Sequence, residues 1–570
     1  MDYQKVYESW RANPTIDDET KAELKAIADN PKEIEDRFYK DLDFGTGGLR
    51  GVIGAGTNRL NIYTIRKATQ GLANYILSSD VYKPDMAVAI AHDCRNMSPE
   101  FANEAALVLN ANGIKTYTFD SLRPTPLLSF AVRHLGCVAG IVVTASHNPP
   151  EYNGYKVYWS DGGQCPYPRD EEIITQVQKV TDFSMVKTIS REDAEAKGLF
   201  NIAAAEVDDE FNKNVLAQRL NPDMKSDIKI VYTPLHGAGN VPVQRALSEA
   251  GYKNVFIVKE QEQPDGNFPT VAYPNPEDPK AFEYAIKLAK EKDADIIVAT
   301  DPDADRVGVA VKQNGEYTLL SGNMTGVILT EYLISGLKEQ GKLPANGAII
   351  STIVSTNMAR VIAEANGLAY MEVLTGFKYI GEKIKEFEAT GSHSYIFGFE
   401  ESCGYLAGTF ARDKDAVSAT LLVCEAAAYY KKQGLTLYDV LQKLYKKYGI
   451  YRESIESVTL KGVDGVAKIK YIMANLRENP PKTLAGESVT EARDYVSGVV
   501  ENLRTGAISR TNLPVSDVLY YATACGSWAC VRPSGTEPKI KIYFGANDSC
   551  DDAVQEKLNK MAKDMLAYTM

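Results

Sequence analysis

Long apolar runs are absent from this sequence of 570 residues, and no stretch approaches the roughly 20 residues that a membrane-crossing helix requires. The amino terminus is polar and charged from its second residue onward, so it lacks the apolar segment of a signal peptide. These two absences argue against an integral membrane protein and predict a cytoplasmic protein with no membrane partner.

Cysteine and histidine are scarce, with 8 and 5 residues, and no two cysteines have the CxxC spacing of a metal or redox site. The cysteines also lack the spacing of a disulfide framework, and the cytoplasm keeps thiols reduced. We therefore expect reduced, mostly buried thiols that take no part in chemistry.

Basic residues are outnumbered, because 63 lysines and arginines stand against 75 acidic residues and give a formal net charge of −12. This balance argues against a nucleic-acid partner, which would require a basic footprint. An anionic ligand must instead be captured by local basic side chains and backbone amides, against the overall field. The places to search are therefore short motifs that mix glycine, hydroxyl and basic residues.

Apolar runs alternate with helical stretches in three rounds, which span residues 86–149, 228–310 and 347–406. Such alternation predicts parallel βαβ units and three related α/β domains. Residues 1–40 predict one or two surface helices, and the weaker alternation after Gly449 predicts a smaller α+β domain. The predicted fold class is α/β, with four domains around a shared central cleft: residues 1–207, 208–322, 323–448 and 449–570.

The first round ends in a loop that contains Ser146, directly after the buried apolar run GIVVTA of residues 140–145. A hydroxyl on a tight loop at the carboxyl end of a buried strand lies where open α/β sheets place their chemistry. We interpret Ser146 as a residue that carries a phosphoryl group. The alternative is a serine that only caps a turn.

The second round ends in DPDADR, which places Asp301, Asp303 and Asp305 at alternate positions. In an extended segment this spacing puts all three carboxylates on one side, where their repulsion favours a hard divalent cation such as Mg²⁺. A calcium EF-hand is excluded because its sixth position would be Arg306 and its twelfth Lys312. A solvated acidic turn is the remaining alternative, and Arg306 is expected beside the ion, where it can contact phosphate.

The third round ends in GFEESCGY, in which Glu400, Glu401 and Ser402 follow an apolar strand. Carboxylate and hydroxyl groups suit hydrogen bonding to a polyol. Paired glutamates also suggest a glycosidase, but adjacent residues on a strand point to opposite faces and are not expected to flank one bond.

Two further segments have the composition of phosphate-binding loops. In RPSGTEPK, Arg532 can hold phosphate in a bidentate way, while Ser534, Gly535 and Thr536 add hydroxyl and amide donors. A hydrophilic hairpin loop is the alternative there. The glycine-rich segment around Arg50 likewise lets the backbone approach a phosphate closely.

His147 beside Ser146 suggests a serine hydrolase, but the GxSxG nucleophile elbow is absent and sequence neighbours rarely act together as base and nucleophile. Hydrolysis is therefore disfavoured. Lys156 and Lys378 are better placed, either as cations near a transferring phosphoryl group or as acid–base groups.

Together these loops resemble those of the α-D-phosphohexomutase family, which contains the phosphoglucomutases and phosphomannomutases. TASHNP with NGYK resembles the phosphoserine loop, DPDADR the metal loop, FEES the sugar-binding loop and RPSGTEP the phosphate-binding loop. They occur in the family's order over nearly the whole chain, and the FGTGGLRG start is similar to the longer phosphoglucomutase subgroup. The resemblance implies four domains around a deep cleft, in agreement with the three rounds.

The resemblance also implies roles for individual residues. It implies a phosphorylated Ser146 whose phosphate completes a Mg²⁺ site made by Asp301, Asp303 and Asp305. It further implies basic groups around the transferred phosphate from Arg50, Lys156 and Lys378, with His147 as the residue beside the phosphoserine. Sugar contacts are implied for Glu400 and Ser402, and contacts to the phosphate that is not transferred for Arg532, Ser534, Gly535 and Thr536.

The activity that the resemblance implies is an isomerase reaction of carbohydrate metabolism, the interconversion of glucose 1-phosphate and glucose 6-phosphate. Glucose 1,6-bisphosphate is the expected intermediate and activator, and small sugar phosphates are the expected partners of a monomer or dimer. Phosphomannomutase, phosphopentomutase and glucose-1,6-bisphosphate synthase remain as alternatives. So does a sugar-phosphate-binding protein without activity, although binding alone would need neither the serine nor the three aspartates.

Overall fold

A computed structural model of the chain describes residues 2–45, 47–80, 82–460, 463–534 and 539–569. The chain divides into two compact units. The first unit comprises Met1–Leu320, Ile380–Gly391 and Cys403–Gln433, and the second comprises Ser321–Tyr379, Ser392–Ser402 and Gly434–Met570. Among the described helices, none combines the length and apolar character that a bilayer crossing needs.

Three helices begin the first unit: α1 (Tyr3–Ala12), α2 (Asp18–Ala26) and α3 (Pro31–Phe38). The prediction of one or two surface helices is wrong, because Pro14 interrupts the helical pattern and Pro31 begins a new helix after its N-cap Asn30. The three helices also form a small core together with residues from later in the chain. Its buried residues are Tyr7, Trp10, Ile16, Leu24, Ile34, Phe38, Ala55 and Tyr63.

Trp10 is central to this small core, so we expect Trp10→Ala to lower the free energy of unfolding by about 3–5 kcal/mol. Its indole is 5% exposed and packs edge-on against Phe38, Tyr63 and Phe183, with ring centroids 5.5–5.7 Å apart. Denaturant unfolding followed by circular dichroism measures the loss. Tyr39→Ala is the control, because Tyr39 is 46% exposed and its removal should cost less than about 0.5 kcal/mol. Equal losses in the two variants would contradict this account of the helices.

The first round forms a seven-stranded sheet of order β1-β2-β6-β5-β3-β4-β7. Strands β3 and β5 are buried almost throughout, as expected for strands whose two faces are both covered. The elements are β1 (Phe44–Gly45), β2 (Gly48–Val52), α4 (Ile62–Ser78), β3 (Ala87–His92), α5 (Ser98–Ala111), β4 (Lys115–Thr118), α6 (Thr125–His134), β5 (Ala139–Val143), β6 (Tyr152–Trp159), α7 (Arg169–Gln178), α8 (Arg191–Ala196) and β7 (Phe200–Ile202).

The second round forms a five-stranded sheet of order β12-β11-β10-β8-β9, also in the first unit. The elements are α9 (Glu206–Leu216), β8 (Lys229–Thr233), α10 (Asn240–Glu249), β9 (Asn254–Ile257), α11 (Glu283–Lys292), β10 (Ile296–Thr300), β11 (Val307–Gln313) and β12 (Glu316–Leu320).

The third round supplies three parallel strands to the second unit, in the order β14-β13-β15. The elements in chain order are α12 (Gly322–Glu339), β13 (Gly347–Thr352), α13 (Met358–Ala365), β14 (Ala369–Val373), α14 (Lys378–Thr390), β15 (Ser394–Glu400), β16 (Gly404–Ala407), α15 (Ala416–Lys431) and α16 (Leu437–Tyr448).

The three rounds share one topology, which confirms the prediction of related α/β folds. In each, the first strand lies between the second and the third, as β4-β3-β5, β9-β8-β10 and β14-β13-β15. The loop after the third strand carries Ser146 in the first round and the three aspartates in the second, and in the third round Glu400 ends the strand and Glu401 begins the turn that follows. The candidate loops therefore occupy equivalent positions in their sheets.

The C-terminal part of the second unit is an antiparallel sheet of order β17-β24-β23-β22-β19-β20-β21, with β18 paired to β19. Helix α18 packs on β24 and β17, which confirms the predicted α+β region. The elements are β17 (Ile450–Thr459), α17 (Val463–Glu478), β18 (Thr483–Leu484), β19 (Glu487–Asp494), β20 (Val499–Asn502), β21 (Ala507–Arg510), β22 (Leu519–Thr523), β23 (Trp528–Pro533), β24 (Lys539–Asp548) and α18 (Asp551–Leu566).

Glu453 on β17 gives the second unit a predictable response to pH. Asn323 Nδ2 donates to its Oε2 at 2.9 Å. The residue as a whole is half-buried, but protein atoms surround its carboxylate, and this desolvation raises the pKa from 4.5 to about 7. The folded state therefore binds this proton more tightly than the unfolded chain does. The stability that results is complete below about pH 4.5 and is lost as the pH rises toward 7.

We therefore expect Glu453→Gln, which keeps a neutral acceptor for Asn323, to weaken the pH dependence of stability in this range. Thermal unfolding of the wild type and the variant at pH 5 and pH 8 measures the difference. The wild type should lose more stability between the two pH values than the variant. The same loss in both proteins would show that Glu453 does not titrate differently on folding.

Candidate active site

Ser146 is the third residue after β5, and only 3% of its surface is exposed. Its backbone φ of 53° is left-handed. Its Oγ donates to Asp301 Oδ2 at 2.8 Å. The predicted phosphoserine and the first predicted metal ligand are thus in direct contact, although they are 155 residues apart in the chain.

Lys156 reaches the same place because β6 returns antiparallel beside β5 and pairs Lys156 with Val142. Its Nζ donates to Asp303 Oδ2 at 2.8 Å and lies 3.6 Å from Asp305 Oδ2. Burial alone would lower the pKa of Lys156, but these two carboxylates outweigh it and raise the pKa. The ammonium group therefore stays charged beside the aspartates.

The DPDADR segment is a turn, so the prediction of an extended segment with alternating carboxylates is wrong. Asp301 Oδ1 accepts the backbone N–H groups of Asp305 and Arg306 at 3.1 and 3.0 Å, which bends the loop back on itself. Ala304 accordingly has a left-handed φ of 49°. Asp301, Asp303 and Asp305 still converge, with carboxylate oxygens within 4.8 Å of one another.

The three aspartates fit a hard divalent cation. All are buried, and Asp303 Oδ1 and Asp305 Oδ1 have no hydrogen-bond partner among the residues that the structure describes. Burial and the two neighbouring carboxylates raise the pKa of Asp301, whereas Lys156 and Thr125 keep the pKa of Asp303 low against desolvation. A cation would relieve this repulsion and supply the partner that the two oxygens lack.

His147 contacts Ser146 directly, with its Nδ1 3.2 Å from the serine Oγ. The expectation that sequence neighbours do not meet in this way is wrong here, because the left-handed backbone at Ser146 turns the chain sharply. Burial, together with the guanidinium groups of Arg306 and Arg50, lowers the pKa of His147. The imidazole is therefore neutral.

Two arginines from the sequence predictions lie in the same unit. Arg50 on β2 pairs with Gly154 of β6. Its Nη1 lies 3.4 Å from Asn148 Oδ1 in the serine loop, by which we mean residues 144–152 between β5 and the start of β6. Arg306 Nη1 donates to Glu277 Oε1 at 2.9 Å. Arg306 Nε also lies 3.8 Å from Asp305 Oδ1, so Arg306 is beside the aspartates and Arg50 is beside the loop that contains Ser146.

Lys414 is a candidate that the sequence predictions missed. Its Nζ lies 3.1 Å from Asp305 Oδ2 and 2.9 Å from Asp413 Oδ1. Asp413 in turn accepts a hydrogen bond from the Tyr158 hydroxyl at 2.7 Å. Lys414 lies in the highly charged segment RDKD. This segment does not follow the third strand of a round, so its position in the sequence does not indicate a functional loop.

In the second unit, Glu400 ends β15 and its Oε1 accepts the N–H of Gly376 at 2.8 Å. This contact fixes the TGFK loop that leads to Lys378, whose side chain is buried at the start of α14. Glu401 instead accepts from Thr352 Oγ1 at 3.0 Å. The two glutamates therefore make separate contacts.

The predicted phosphate loop begins at the end of β23, which carries Arg532. The N–H of Ser534 donates to the carbonyl of Lys539 at 2.7 Å and closes the base of the loop. Gly535 and Thr536 lie outside the described residues.

Glu401 and Arg532, from the two loops of the second unit that were predicted to bind sugar and phosphate, both affect the pKa of one tyrosine. Burial raises the pKa of Tyr543 on β24, while Glu401 raises it further and Arg532 opposes the increase. Ser402 follows Glu401 in the turn after β15. The sequence-predicted residues of this unit are Lys378, Glu400, Ser402, Arg532 and Ser534, whereas the first unit brings together Arg50, Ser146, His147, Lys156, Asp301, Asp303, Asp305 and Arg306.

Comparison with known protein families gives four matches in one order along the chain. They are the phosphoglucomutase/phosphomannomutase α/β/α domains I, II and III at residues 41–183, 209–315 and 321–448, and the C-terminal domain of the same family at residues 470–562. All four domain families are thus represented.

The phosphoglucomutase of Staphylococcus aureus (strain MSSA476) is 38% identical over 542 residues, which cover 94% of this chain and 96% of the relative. Among solved structures, Paramecium parafusin, a phosphoglucomutase in an open form, has a TM-score of 0.69 and 18% identity over 93% of this chain and 95% of that chain. A phosphoglucomutase/phosphomannomutase family protein of Burkholderia thailandensis has a TM-score of 0.66 and 20% identity, over 92% and 97%. At these identities the two structures show the fold alone.

These matches confirm the predicted α/β fold and the predicted isomerase class. They also bear out the predicted phosphoglucomutase function, which is the name that the Staphylococcus aureus relative carries. The order of the four loops, the buried serine beside three aspartates and the matches over nearly the whole length lead to one conclusion. The chain belongs to the phosphoglucomutase/phosphomannomutase family of phosphohexomutases.

Proposed function

We propose that this chain interconverts glucose 1-phosphate and glucose 6-phosphate by way of a phosphoryl group on Ser146. The observation that carries the proposal is the hydrogen bond of 2.8 Å from the Ser146 hydroxyl to Asp301, at the edge of a buried carboxylate triad. A serine that only capped a turn would need neither the triad nor the charged Lys156 beside it.

In the proposed reaction, the bond between phosphorus and Ser146 Oγ breaks and a bond forms between phosphorus and the free hydroxyl oxygen of a sugar monophosphate. That hydroxyl gives up its proton, and Ser146 Oγ gains one to become the free serine hydroxyl. The product is glucose 1,6-bisphosphate, and its other phosphoryl group then returns to Ser146. Lys156 and Lys414 supply positive charge beside Asp303 and Asp305, where charge on the transferring group needs to be offset. When bound by the three aspartates, Mg²⁺ supplies Lewis-acid stabilisation of that group.

We assign the recognition of the substrate to the second unit. Glu400 and Ser402 are proposed to fix sugar hydroxyl groups, and Arg532, Ser534, Gly535 and Thr536 to hold the phosphate that is not transferred. In the first unit, Arg50 is proposed to bind the transferred phosphate, Arg306 to bind phosphate of the substrate and His147 to act beside the phosphoserine. Lys378 of the second unit is proposed as a further catalytic residue, and glucose 1,6-bisphosphate as activator. We also propose the domain limits 1–207, 208–322, 323–448 and 449–570 and a monomer or dimer that binds small sugar phosphates.

The substrate assignment is tested by mutase rates with glucose, mannose and ribose 1-phosphates under identical Mg²⁺ and activator concentrations. We expect the highest kcat/KM with glucose 1-phosphate. A clear preference for mannose or ribose 1-phosphate would replace the glucose assignment with the corresponding mutase. Net accumulation of glucose 1,6-bisphosphate during turnover would favour the synthase instead.

A further inference from the structure

Two charged residues without a role in the reaction lie buried against the serine loop. Asp93 and Arg95 follow β3, each is 1% exposed, and the Arg95 Nε lies 3.5 Å from Asp93 Oδ2. Buried charges are costly unless they are paired and hydrogen-bonded, so their contacts indicate what they hold in place.

The guanidinium of Arg95 binds four backbone carbonyl groups of the serine loop. Its Nη2 donates to the carbonyl oxygens of Ser146, at 2.6 Å, and of Asn148. Its Nη1 donates to those of Pro149 and Tyr152, at 2.8 and 3.0 Å. Only a planar fork with several donors can span four acceptors in this way, and a lysine ammonium cannot reproduce it.

The Asp93 carboxylate fixes the other side of the same serine. Its Oδ2 accepts the Thr144 hydroxyl at 2.6 Å, and Thr144 Oγ1 in turn accepts the N–H of Ser146 at 2.8 Å. Because the hydroxyl has one proton and gives it to Asp93, it presents a lone pair to Ser146. Asp93 Oδ1 also accepts the N–H of Arg95 at 2.9 Å, which joins the two contacts into one network.

Ser146 is therefore held through both its N–H and its carbonyl oxygen, in a left-handed conformation that non-glycine residues seldom adopt. We propose that Asp93 and Arg95, with Thr144 as the link, are positioning residues that keep the Ser146 hydroxyl directed at Asp301 for phosphoryl transfer. This inference rests on the proposed phosphoserine function. We call the three residues the serine clamp.

The second round of the fold completes the clamp. The ring of Phe268, which is 2% exposed, lies against the Arg95 guanidinium, with 5.0 Å between Cζ and the ring centroid. Asn96 Nδ2 also donates to Asn267 Oδ1 at 3.0 Å. The first round supplies Ser146 and the second supplies the aspartates. These two contacts between the rounds therefore help to hold the serine loop in place beside the aspartate turn.

The test compares Thr144→Val, Thr144→Ser and Arg95→Lys with the wild type. Thr144→Val keeps the shape of the side chain but removes both hydrogen bonds, whereas Thr144→Ser retains the hydroxyl. Steady-state kcat and KM for glucose 1-phosphate are measured per folded molecule, together with the rate at which Ser146 takes up phosphate from glucose 1,6-bisphosphate. Asn110→Ala is the control, because the buried Asn110 amide donates to Ile114 and Leu199 carbonyls away from the loop.

We expect Thr144→Val and Arg95→Lys to lower kcat and the rate of Ser146 phosphorylation by about 100-fold, the usual cost of a reacting group misplaced by about 1 Å. KM should change little because the substrate contacts remain. Thr144→Ser should restore most of the rate, and Asn110→Ala should lose stability but not kcat. If Arg95→Lys does not fold, the comparison of Thr144→Val with Thr144→Ser tests the clamp.

If Ser146 is phosphorylated in Thr144→Val at the same rate as in the wild type, the clamp is overturned and the phosphoserine mechanism remains intact. A wild-type enzyme that turns over without phosphate on Ser146 would overturn the proposed function, and the clamp with it. An equal loss of kcat in Asn110→Ala would also overturn the clamp, because the effect would then be a general loss of stability.

Discussion

Replacing Ser146 with alanine is expected to lower kcat for glucose 1-phosphate by about 10⁴-fold or more, because no other group then accepts the phosphoryl group. The Ser146 Oγ lies 2.8 Å from Asp301 and 3.2 Å from His147 Nδ1, and alanine removes only this atom. Mutase assays with purified wild type and variant measure the change, and circular dichroism verifies that both are folded.

Ser129→Ala is the matched control for this substitution. Ser129 is also fully buried in the first unit, where its Oγ donates to the Gly162 carbonyl and accepts the N–H of Arg412. We expect Ser129→Ala to lose stability and to keep its kcat within a few-fold. Comparable kcat values in the Ser146 variant and the wild type would exclude Ser146 as the phosphoryl carrier.

Asp303→Asn is expected to lower kcat by about 10³-fold and to abolish most of the stabilisation by Mg²⁺. Asp303 is the carboxylate that Lys156 and Thr125 hold ionised, and asparagine keeps its shape but removes the charge that binds a cation. An ion that binds only the folded state at 100 times its dissociation constant adds about 2.7 kcal/mol to stability. The unfolding temperature of the wild type should therefore be clearly higher without chelator than with it, and Asp303→Asn should lack this difference.

Asp208→Asn is the control for the metal prediction. Asp208 also lies in the first unit and pairs with Arg123 at 2.8 Å, but it is not one of the three clustered aspartates. We expect Asp208→Asn to keep the full Mg²⁺-dependent increase in unfolding temperature. A wild type whose unfolding does not respond to chelator or to Mg²⁺ would contradict the assignment of the three aspartates as a metal site.

Much of the site could be predicted from the sequence because its parts are short motifs at the ends of apolar strands. Ser146 and the three aspartates are each contiguous with a buried strand of one βαβ round. Parallel strands place their carboxyl ends at one edge of the sheet, so similar rounds give loops in equivalent positions. The topology that results, with the first strand in the middle each time, agrees with this reasoning.

The parts that could not be predicted depend on long-range contacts or on local turns. Lys414 reaches Asp305 from a segment 109 positions later in the chain, and no spacing rule relates them. The DPDADR turn has carboxylates at the alternate positions that would share one face of a strand, but Asp301 accepts hydrogen bonds from the backbone of its own loop. No motif of the sequence marks Arg95, and only the fold shows that its guanidinium binds four carbonyl groups.

The central claim is that the phosphoryl group passes through Ser146. The most direct measurement is rapid-quench mass spectrometry of the peptide that contains Ser146, during turnover with glucose 1-phosphate and glucose 1,6-bisphosphate. We expect one phosphate on Ser146, which forms and transfers to added sugar monophosphate at least as fast as kcat. An unmodified Ser146 throughout turnover, or a phosphate that forms on another residue at the rate of kcat, would contradict it.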